Sequence, residues 1–445
     1  MGHKNKEGGG KKQAGGSASA SASAKAKAKA PLSSAPSSVN FNPKDVTDPL
    51  ELLDMCVAAL HDKSSSSATR EAALASLVGA LEGGVVPLDE ATDGRPLVIF
   101  AVCGVSIKKG SAAPVALARE ARLAYRAVGL LALTLHGGGA TEILAESFPM
   151  LARALQQPPS SVDPTTVAAV LDCLAAVTFA GALGTEDAER SLKAIWGVVV
   201  CPNQSSRSAA NPKQAAVTAA ALSTWTFLLT TATITDAQRK ADRAGWNAAV
   251  ASLAGLLQAD DRAVRMAAGE ALAVCVELNL TQHAPRKDME AVKARVSELA
   301  AEAGGKGAEK ALLVEQKELF RQVSAYMERG ERPSKALQTS SDRRKSIKVS
   351  TWAKMVQLNF LRRFLAAGFL SHVKGNKLFK ESFDAGADEK STLSIAKRKL
   401  TMKTKDKVMK MNREQAWVAK NVYCIPQGGP PESDRPEQLL KLGWH

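Results

Sequence analysis

The sequence predicts an all-α fold in which stacked pairs of helices form an α-solenoid. Alanine and leucine dominate the chain, aromatic residues make up only 4% of it, and alternating β-branched patterns are scarce, which favours helices over strands. Between residues 47 and 329, about twelve helical segments follow one another with short polar or Gly/Pro breaks and no strand signal. A single bundle rarely needs so many helices, so the solenoid is favoured over a bundle.

Composition divides the chain into successive parts. The first part is rich in Ala, Ser and Lys, and we expect it to be disordered because it cannot bury enough apolar area to offset its ordering entropy. A polar, basic hinge separates the helical body from a C-terminal region of different composition. The predicted parts are a tail at 1–46, a helical-repeat domain at 47–329, a hinge at 330–347, a C-terminal helical domain at 348–425 with a basic helix at about 390–420, and a Pro/Gly-containing tail at 426–445.

The sequence of the body also indicates where individual helices begin and end. Pro49 at a first helical position, with Glu51 in the first turn, predicts the start of the first helix. The serines at 64–67 separate it from a second helix, which Thr69 is predicted to cap. Further helices are predicted over 97–107, 114–135, 141–156, 164–181, 188–199, 213–231, 237–257, 262–278, 287–303 and 308–328.

One unit of the body carries a repeat-like pattern. The sequence Asp-Asp-Arg-Ala-Val-Arg at 260–265 continues as Met-Ala-Ala-Gly-Glu-Ala-Leu at 266–272. In HEAT and armadillo repeats an acid starts the helix, Val-Arg follows, and small residues let the neighbouring helix approach closely. Residues 69–74 show a weaker version of the same pattern. We therefore expect the solenoid to be armadillo/HEAT-like.

The C-terminal region contains a further set of apolar residues at helical spacing. Trp352, Met355, Val356 and Phe360 fall at i, i+3, i+4 and i+8, which makes an apolar face wide enough to dock on another helix. Core packing is favoured over a partner-binding groove for this face, and His372 is interpreted as a packing residue rather than a catalytic one. The residues predicted to pack this domain are Trp352, Met355, Val356, Phe360, Phe364, Leu378 and Phe383.

Net charge is concentrated at the two ends of the chain. Residues 1–44 carry eight Lys against one Glu, and residues 337–445 carry 22 Lys and Arg against ten Asp and Glu. The stretch between them has a net charge of −4. This distribution predicts a folded body whose basic ends meet a polyanion, with nucleic acid favoured.

The densest basic stretch is predicted to be an RNA-binding helix. If it is helical, Lys399, Lys403, Lys407 and Lys410 line one face. A narrow rod of this charge fits an RNA groove or channel and would bind with a strong salt dependence, whereas the alternatives are a solvated charged helix or a nuclear-localisation stretch. The predicted RNA-binding residues are Lys397, Arg398, Lys399, Lys403, Lys405, Lys407, Lys410 and Arg413.

The order of residues in the C-terminal region resembles the interferon-related developmental regulator family. The family's C-terminal domain has a Trp-containing helix, here with Trp352, then a short joint ending in Gly, here Gly368, with a His nearby. An Asn-x-Leu-[Leu/Phe]-x-x-x-Phe segment follows and closes on Gly, as residues 376–386 do. The resemblance covers roughly residues 345–425, and the Ala-Ala-Gly-Glu-Ala-Leu run at 267–272 fits the family's N-terminal domain.

The resemblance implies a role on the ribosome. Members of the family are associated with ribosomes that are not translating, where a C-terminal helix occupies the RNA path. Carried over, that role falls on the basic stretch from Lys397 to Arg413. The stretch is Lys-rich and contains Met402, Met409 and Met411, where the family pattern is richer in Arg and Ala. The N-terminal tail has no counterpart in the resemblance.

The sequence predicts a protein that is not an enzyme. The glycine runs at 8–10 and 137–139 lack the Lys-Ser/Thr of a phosphate-binding loop, and no Gly-x-Ser-x-Gly elbow or paired carboxylates stand out. The six cysteines are scattered without a Cys-x-x-Cys pair, and no histidine joins them at metal-ligand spacing, so neither a metal nor a cofactor is predicted. No apolar run approaches the roughly 20 residues of a membrane span.

Two function hypotheses follow, with partners and locations that differ. The first is a cytoplasmic regulator of translation that binds the ribosome and its rRNA, with no membrane or small-molecule partner. The second is a nuclear transcriptional co-regulator, also associated with the family, whose solenoid surface holds protein partners. A third and plainer possibility is a helical scaffold with non-specific affinity for polyanions.

Overall fold

In the computed structural model of this chain, helices account for about four fifths of the described residues. These residues belong to one compact unit within residues 39–445. The structure describes residues 41–43, 46–84, 86, 88, 94–111, 115–135, 138–156, 163–200, 212–302, 308–338 and 346–383.

Six pairs of helices build the body. The second helix of each pair packs beside the second helix of the next pair in chain order, and we call these six helices the second-helix row. This is the predicted all-α solenoid of stacked helical pairs. The pairs are α1 (Pro49–His61) with α2 (Ser67–Gly83), α3 (Arg95–Ser111) with α4 (Val115–Thr134), α5 (Gly138–Leu155) with α6 (Pro164–Gly181), α7 (Thr185–Val199) with α8 (Pro212–Thr231), α10 (Arg243–Leu256) with α11 (Arg262–Glu277), and α12 (Arg286–Ala301) with α13 (Ala308–Arg329); a short helix, α9 (Asp236–Ala241), precedes α10.

Side-chain caps explain why the helices begin where they do. Asp48 accepts the N–H of Leu50 at the start of α1, and Asp261 accepts the N–H of Val264 at the start of α11, as expected for an acid that begins a repeat helix. The prediction that Thr69 caps α2 is wrong. Ser66 is the cap, because its backbone is extended and its hydroxyl lies 3.1 Å from the N–H of Thr69, three residues on.

One predicted helix is divided in the structure. The segment predicted as a single helix over 237–257 is interrupted at Asp242, which ends α9 and precedes α10 with φ −106° and ψ 38°, outside the helical region. Thr235 and Gln238 form a capping box at the start of α9. Asp favours such breaks because its short carboxylate competes for nearby backbone groups.

Helix α6 lies at the centre of the packing. It contacts α4, α5 and α8, and its buried residues fall on several faces of the helix. By length and composition it is apolar enough to cross a membrane, but more than half of it is buried inside the protein. A helix that is apolar on nearly all sides and covered by neighbouring helices is a core helix. Helix α6 is therefore a core helix of the solenoid.

The chain after α13 forms a two-stranded ribbon and three further helices. Strands β1 (Lys335–Gln338) and β2 (Ser346–Val349) are antiparallel, with Lys335 opposite Val349. Most of the ribbon lies in the predicted hinge at 330–347, and its two strands were not predicted. Buried Ile347 and Val349 alternate with exposed Lys348, but this period-two signal spans only four residues. The helices are α14 (Trp352–Leu365), α15 (Phe369–Gly375) and α16 (Lys377–Phe383), with a 3-10 turn at Ala366–Gly368 before α15.

Candidate functional site

Residues 346–383, which begin with β2 and end with α16, lie across the second-helix row. We call them the C-terminal segment. Helix α14 packs on α8 and α11, and the 3-10 turn and α15 pack on α2. From α14 to α15 the contacts run from α11 through α8 and α6 to α2, the reverse of chain order, and α16 then turns back to α6. The candidate site is therefore a composite surface, in which the C-terminal segment covers part of the second-helix row.

The start of α14 is held by the end of α11. Thr351 caps α14 by accepting the N–H of Lys354 at 3.2 Å. The carboxylate of Glu277 accepts the N–H groups of Trp352 and Ala353 at 3.0 and 2.7 Å. A carboxylate at a helix N-terminus is favourable because the N–H groups there have no partner within the helix and carry partial positive charge. Glu277 thereby fixes where the C-terminal segment begins its path.

A line of aromatic rings joins the segment to the middle of the row. Phe360 of α14 stacks on Phe227 of α8, with ring centroids 3.9 Å apart, and on Phe364 at 5.9 Å. Phe179 of α6 lies 5.3 Å from Phe227 and 6.4 Å from Phe379 of α16. Such pairs add about 0.5–1.5 kcal/mol each beyond the area that they bury. This cluster makes the segment part of the protein core.

Polar contacts fix the register of the segment on the row. The amide of Gln357 donates to the carbonyl oxygen of Thr230 at 3.2 Å. The guanidinium of Arg363 forms two hydrogen bonds of 2.6 Å with the carboxylate of Asp172. The amide of Asn376 donates to the backbone carbonyl of Leu133 at 2.6 Å. Because each contact has directional geometry, a shift of the segment along the row would leave these groups without partners.

The joint between α14 and α15 sits close to the end of α2. Ala366 has φ +43°, a value uncommon for a residue other than glycine. A Cβ atom at Gly368 would lie 1.6 Å from the carbonyl oxygen of Glu82, so only glycine fits there. His372 is buried and its Nε2 lies 3.2 Å from the carbonyl oxygen of Leu81. These contacts place the joint in a packed position on α2.

Lys354 connects the two ends of the C-terminal segment. Its ammonium donates to the side-chain oxygen of Gln357 at 3.1 Å and to the backbone carbonyl of Ser382 in α16. Burial lowers the pKa of Lys354, because removing the ammonium from water disfavours its charged form. Lys354 is therefore partly buried between α14 and α16.

Six of the seven predicted packing residues of this region are buried, and Leu378 is partly buried. The last described residue, Phe383, packs edge-on against Phe369 with ring centroids 6.2 Å apart. The chain therefore continues toward the basic stretch from a buried aromatic anchor. The eight residues predicted to bind RNA, between Lys397 and Arg413, lie outside the described residues.

The described residues offer little reactive chemistry. Cys56, Cys103, Cys173 and Cys275 are free and buried. Burial raises the pKa of Cys56, Cys103 and Cys275 to about 12, which keeps these thiols protonated and unreactive near neutral pH. Among the residues that the structure describes, no group of three or more His, Cys, Asp or Glu side chains could hold a metal ion.

The sequence of the body decides the family. The sequence model of the interferon-related developmental regulator family matches residues 17–328, well over half of the chain. The chain belongs to this family. Interferon-related developmental regulator 1 from Sus scrofa is 26% identical over 164 residues, and its counterpart from Homo sapiens is 27% identical over the same length. Each alignment covers 36% of this chain and 34% of the relative.

These comparisons concern mainly the solenoid. The family match ends at residue 328, within α13 and before the ribbon and α14. The resemblance of residues 345–425 to the family's C-terminal domain therefore stays a prediction. Sequence reasoning also missed Glu277, Asp172 and Leu133 as contacts of the C-terminal segment. No local signal marks them, since each meets its partner from a distant part of the chain.

Proposed function

We propose that this family member is a non-catalytic, RNA-binding regulator of translation that acts on ribosomes. In this proposal the basic stretch between Lys397 and Arg413 occupies the RNA path of a ribosome that is not translating. The solenoid and the C-terminal segment hold that stretch in place. Family membership, the charge of the stretch and its attachment to a packed anchor support the proposal.

The concentration of basic charge between residues 397 and 413 is the main support for RNA binding. Residues 397–413 contain eight Lys and Arg and one Asp, whereas the body between the two basic ends is slightly acidic. Each phosphate neutralised by a basic side chain releases a counterion. The slope of log affinity against log salt for single-stranded RNA is therefore about −0.7 per phosphate contact. A stretch of this charge would therefore bind RNA tightly at low salt. Binding that persists at moderate salt would have to come from geometric fit to the RNA path.

The anchor at Phe383 limits how far the stretch can lie from the folded body. Thirteen residues, 384–396, separate Phe383 from Lys397. A free basic peptide loses its full translational and rotational entropy when it binds. A peptide joined to a protein that is already bound to the ribosome has a higher effective concentration at its site. Occlusion of an RNA path needs such a hold, because a loosely bound peptide would be displaced by mRNA or tRNA.

Sedimentation with ribosomes tests the proposal. The full chain and a variant with Lys399, Lys403, Lys407 and Lys410 changed to Glu are sedimented with ribosomes from starved cells, through sucrose gradients at low and moderate salt. The matched control changes exposed lysines of the body, Lys63, Lys240, Lys287 and Lys293, to Glu. Both variants change the net charge by the same amount, so only the position of the charges differs.

The outcomes are distinct. Co-sedimentation that survives moderate salt in the wild-type and control chains, and is lost in the variant of the basic stretch, supports occlusion by that stretch. Wild-type protein absent from ribosomal fractions at both salt concentrations overturns the proposal. Equal loss in the two variants would assign the binding to net charge alone and would also overturn it.

The transcriptional co-regulator remains the second candidate. It requires a protein-binding surface on the solenoid, but the C-terminal segment already covers part of the second-helix row through Phe360, Arg363 and Asn376. Partners would then use the first helices of the pairs. Deletion of residues 397–413 separates the two candidates. It should abolish ribosome association under the first, whereas under the second it should change nuclear entry and leave partner binding intact.

A further inference from the structure

We propose that the solvent-facing side of the C-terminal segment is a second RNA-phosphate-binding surface, used together with the basic stretch at 397–413. The inference rests on the proposed function for its target, the ribosome, but it concerns different residues. It follows from the charge, exposure and pairing of described side chains on β2, α14 and α15.

Every exposed charged side chain that the structure describes in residues 346–383 is basic. These side chains are Lys348, Arg362, Arg363 and Lys374. The body beneath them has a slight negative net charge. A surface of one sign on a body of the other sign is typical of an electrostatic binding face rather than of ordinary surface composition.

One side of α14 faces solvent. Asn359, Arg362 and Arg363 are exposed and fall at i, i+3 and i+4, along that side of the helix. The opposite side carries the buried rings that pack on the row, such as Phe360. Because α14 is fixed on α8 and α11, its outer side presents Arg362 in a constant position, whereas the guanidinium of Arg363 is bound to Asp172.

Three acids of the described body that lie beneath this face are already paired. Asp172 binds Arg363, Glu82 binds Arg126 with N and O atoms 3.0 Å apart, and Glu277 accepts the N–H groups of α14. By contrast, Lys348, Arg362 and Lys374 form no ion pair of 4.0 Å or less with another described residue. Their charge is therefore free to attract an anion.

The chemistry of the face favours phosphate over a protein partner. A guanidinium presents a planar set of donors that matches phosphate oxygens, and Ala366, Ala367 and Gly375 are small exposed neighbours that leave room for a nucleic-acid backbone. The single large exposed apolar side chain described in the segment is Leu370, at 38%. A protein-binding hot spot usually needs a cluster of aromatic or aliphatic anchors, which this face lacks.

Chain length links this face to the basic stretch. The thirteen residues after Phe383 can span at most roughly 50 Å even when fully extended. One RNA molecule can therefore reach both the face and the stretch. Two linked sites bind more tightly than either alone because the second binding event is intramolecular.

Charge reversal on the face tests the inference. The double variant Arg362→Glu/Lys374→Glu is compared with Lys287→Glu/Lys293→Glu, which alters two exposed side chains of α12. Both pairs are introduced into the full chain and into the chain with the four-Glu basic stretch. Binding of a labelled 30-nucleotide single-stranded RNA of mixed sequence is measured between about 50 and 200 mM salt.

The expected result is a smaller salt slope. Loss of two phosphate contacts should reduce the slope of log affinity against log salt by about 1.4. That reduction should occur with the basic stretch intact or altered, and not in the α12 control. A slope equal to that of the control overturns the inference. Failure of the proposed function itself would be seen separately, as undiminished ribosome binding by the four-Glu chain.

Lysine acetylation provides a direct readout without any variant. Lys348 and Lys374 should be protected from acetylation by the RNA and by ribosomes, while Lys293 stays reactive. Equal reactivity of Lys374 in free and bound protein overturns the inference. Protection by ribosomes but not by the RNA would assign the face to an acidic protein surface, and this result too would overturn the RNA assignment.

Discussion

The carboxylate of Glu277 accepts the backbone N–H of Trp352 at 3.0 Å, so the last residue of α11 holds the first residue of α14. Tyr326 of α13 packs beside the indole of Trp352, with ring centroids 6.2 Å apart. This corner is where the chain leaves the ribbon and begins its path over the second-helix row. The placement of α14 and of the residues after it depends on this corner.

Replacing Glu277 with Ala should weaken the docking of α14. Two N–H groups of a partly buried helix end would lose their acceptor, which costs about 1–3 kcal/mol. Glu277→Gln should recover part of the loss, because its amide oxygen still accepts one hydrogen bond. Urea unfolding and hydrogen exchange of the peptide containing Trp352 and Ala353 measure the change. Glu146→Ala, at an exposed position of α5, is the control, and an equal effect there would contradict the prediction.

Gly368→Ala should be strongly destabilising. The added Cβ would meet the carbonyl oxygen of Glu82 at 1.6 Å, and backbone atoms cannot move aside as a flexible side chain would. Overpacking of this kind costs about 1–3 kcal/mol or more. The control is Gly375→Ala, where a Cβ meets nothing within 4 Å. Thermal unfolding of the two variants should differ clearly, and matching midpoints would show that the joint can move off α2.

Replacing Arg70 with Ala should make the first two helical pairs unfold more readily. Its guanidinium donates to Glu120 at 2.8 Å, to the carbonyl oxygen of Leu60 at 2.6 Å and to Ser106 at 2.8 Å, all in a buried setting. Arg70→Ala leaves Glu120 as an unpaired buried charge, which costs about 3–5 kcal/mol.

The matched control for Arg70 is Arg119→Ala. Arg119 lies 3.4 Å from Glu71 and its side chain is 72% exposed. An exposed ion pair contributes only about 0–1 kcal/mol. Urea unfolding should therefore separate the two variants, and similar midpoints would show that the buried pair contributes no more than a surface one.

Stability should fall as pH rises from about 4.5 to 7 because of Glu270. Burial, and then the nearby carboxylate of Glu315, raises the pKa of Glu270 to about 7, while Lys335 opposes the shift. The folded protein therefore binds a proton that the unfolded chain releases, and this contribution is lost as pH rises through the folded pKa. Glu270 is partly exposed, so we expect a contribution of about 1–2 kcal/mol.

Glu270→Gln should remove that pH dependence and stabilise the protein above pH 7. Urea unfolding from pH 5 to 8 measures the slope of stability against pH for wild type and variant. Glu146→Gln, at an exposed carboxylate of α5, serves as the control. A wild-type slope that persists in Glu270→Gln would assign the effect to other groups.

Much of the helical framework was predictable because its signals are local. The helix at Pro164–Gly181 was predicted with both bounds, since Pro at its first position and Gly at its end are strong markers. The interruption at Asp242 was missed because the pattern on both sides of it is helical. The ribbon was missed because four-residue strands give too short a signal.

The candidate site was predictable only in part. The apolar face of α14 was evident from the spacing of Trp352 and Phe360, but not the surface that it covers. Asp172 and Arg363 lie 191 positions apart, and Leu133 and Asn376 lie 243 apart. Nothing in the residues near either member of these pairs identifies the other.

The sequence by itself determined the all-α class, most helix bounds and the basic ends, because propensity, capping and charge depend on neighbouring residues. Only the tertiary structure decided that α14, α15 and α16 lie along the second-helix row, from Glu277 at one end to Leu81 near the other. The physical reason is that an apolar stripe lowers its free energy on any complementary face. The choice among such faces depends on shape and directional contacts between distant residues, such as the fit of Gly368 against Glu82.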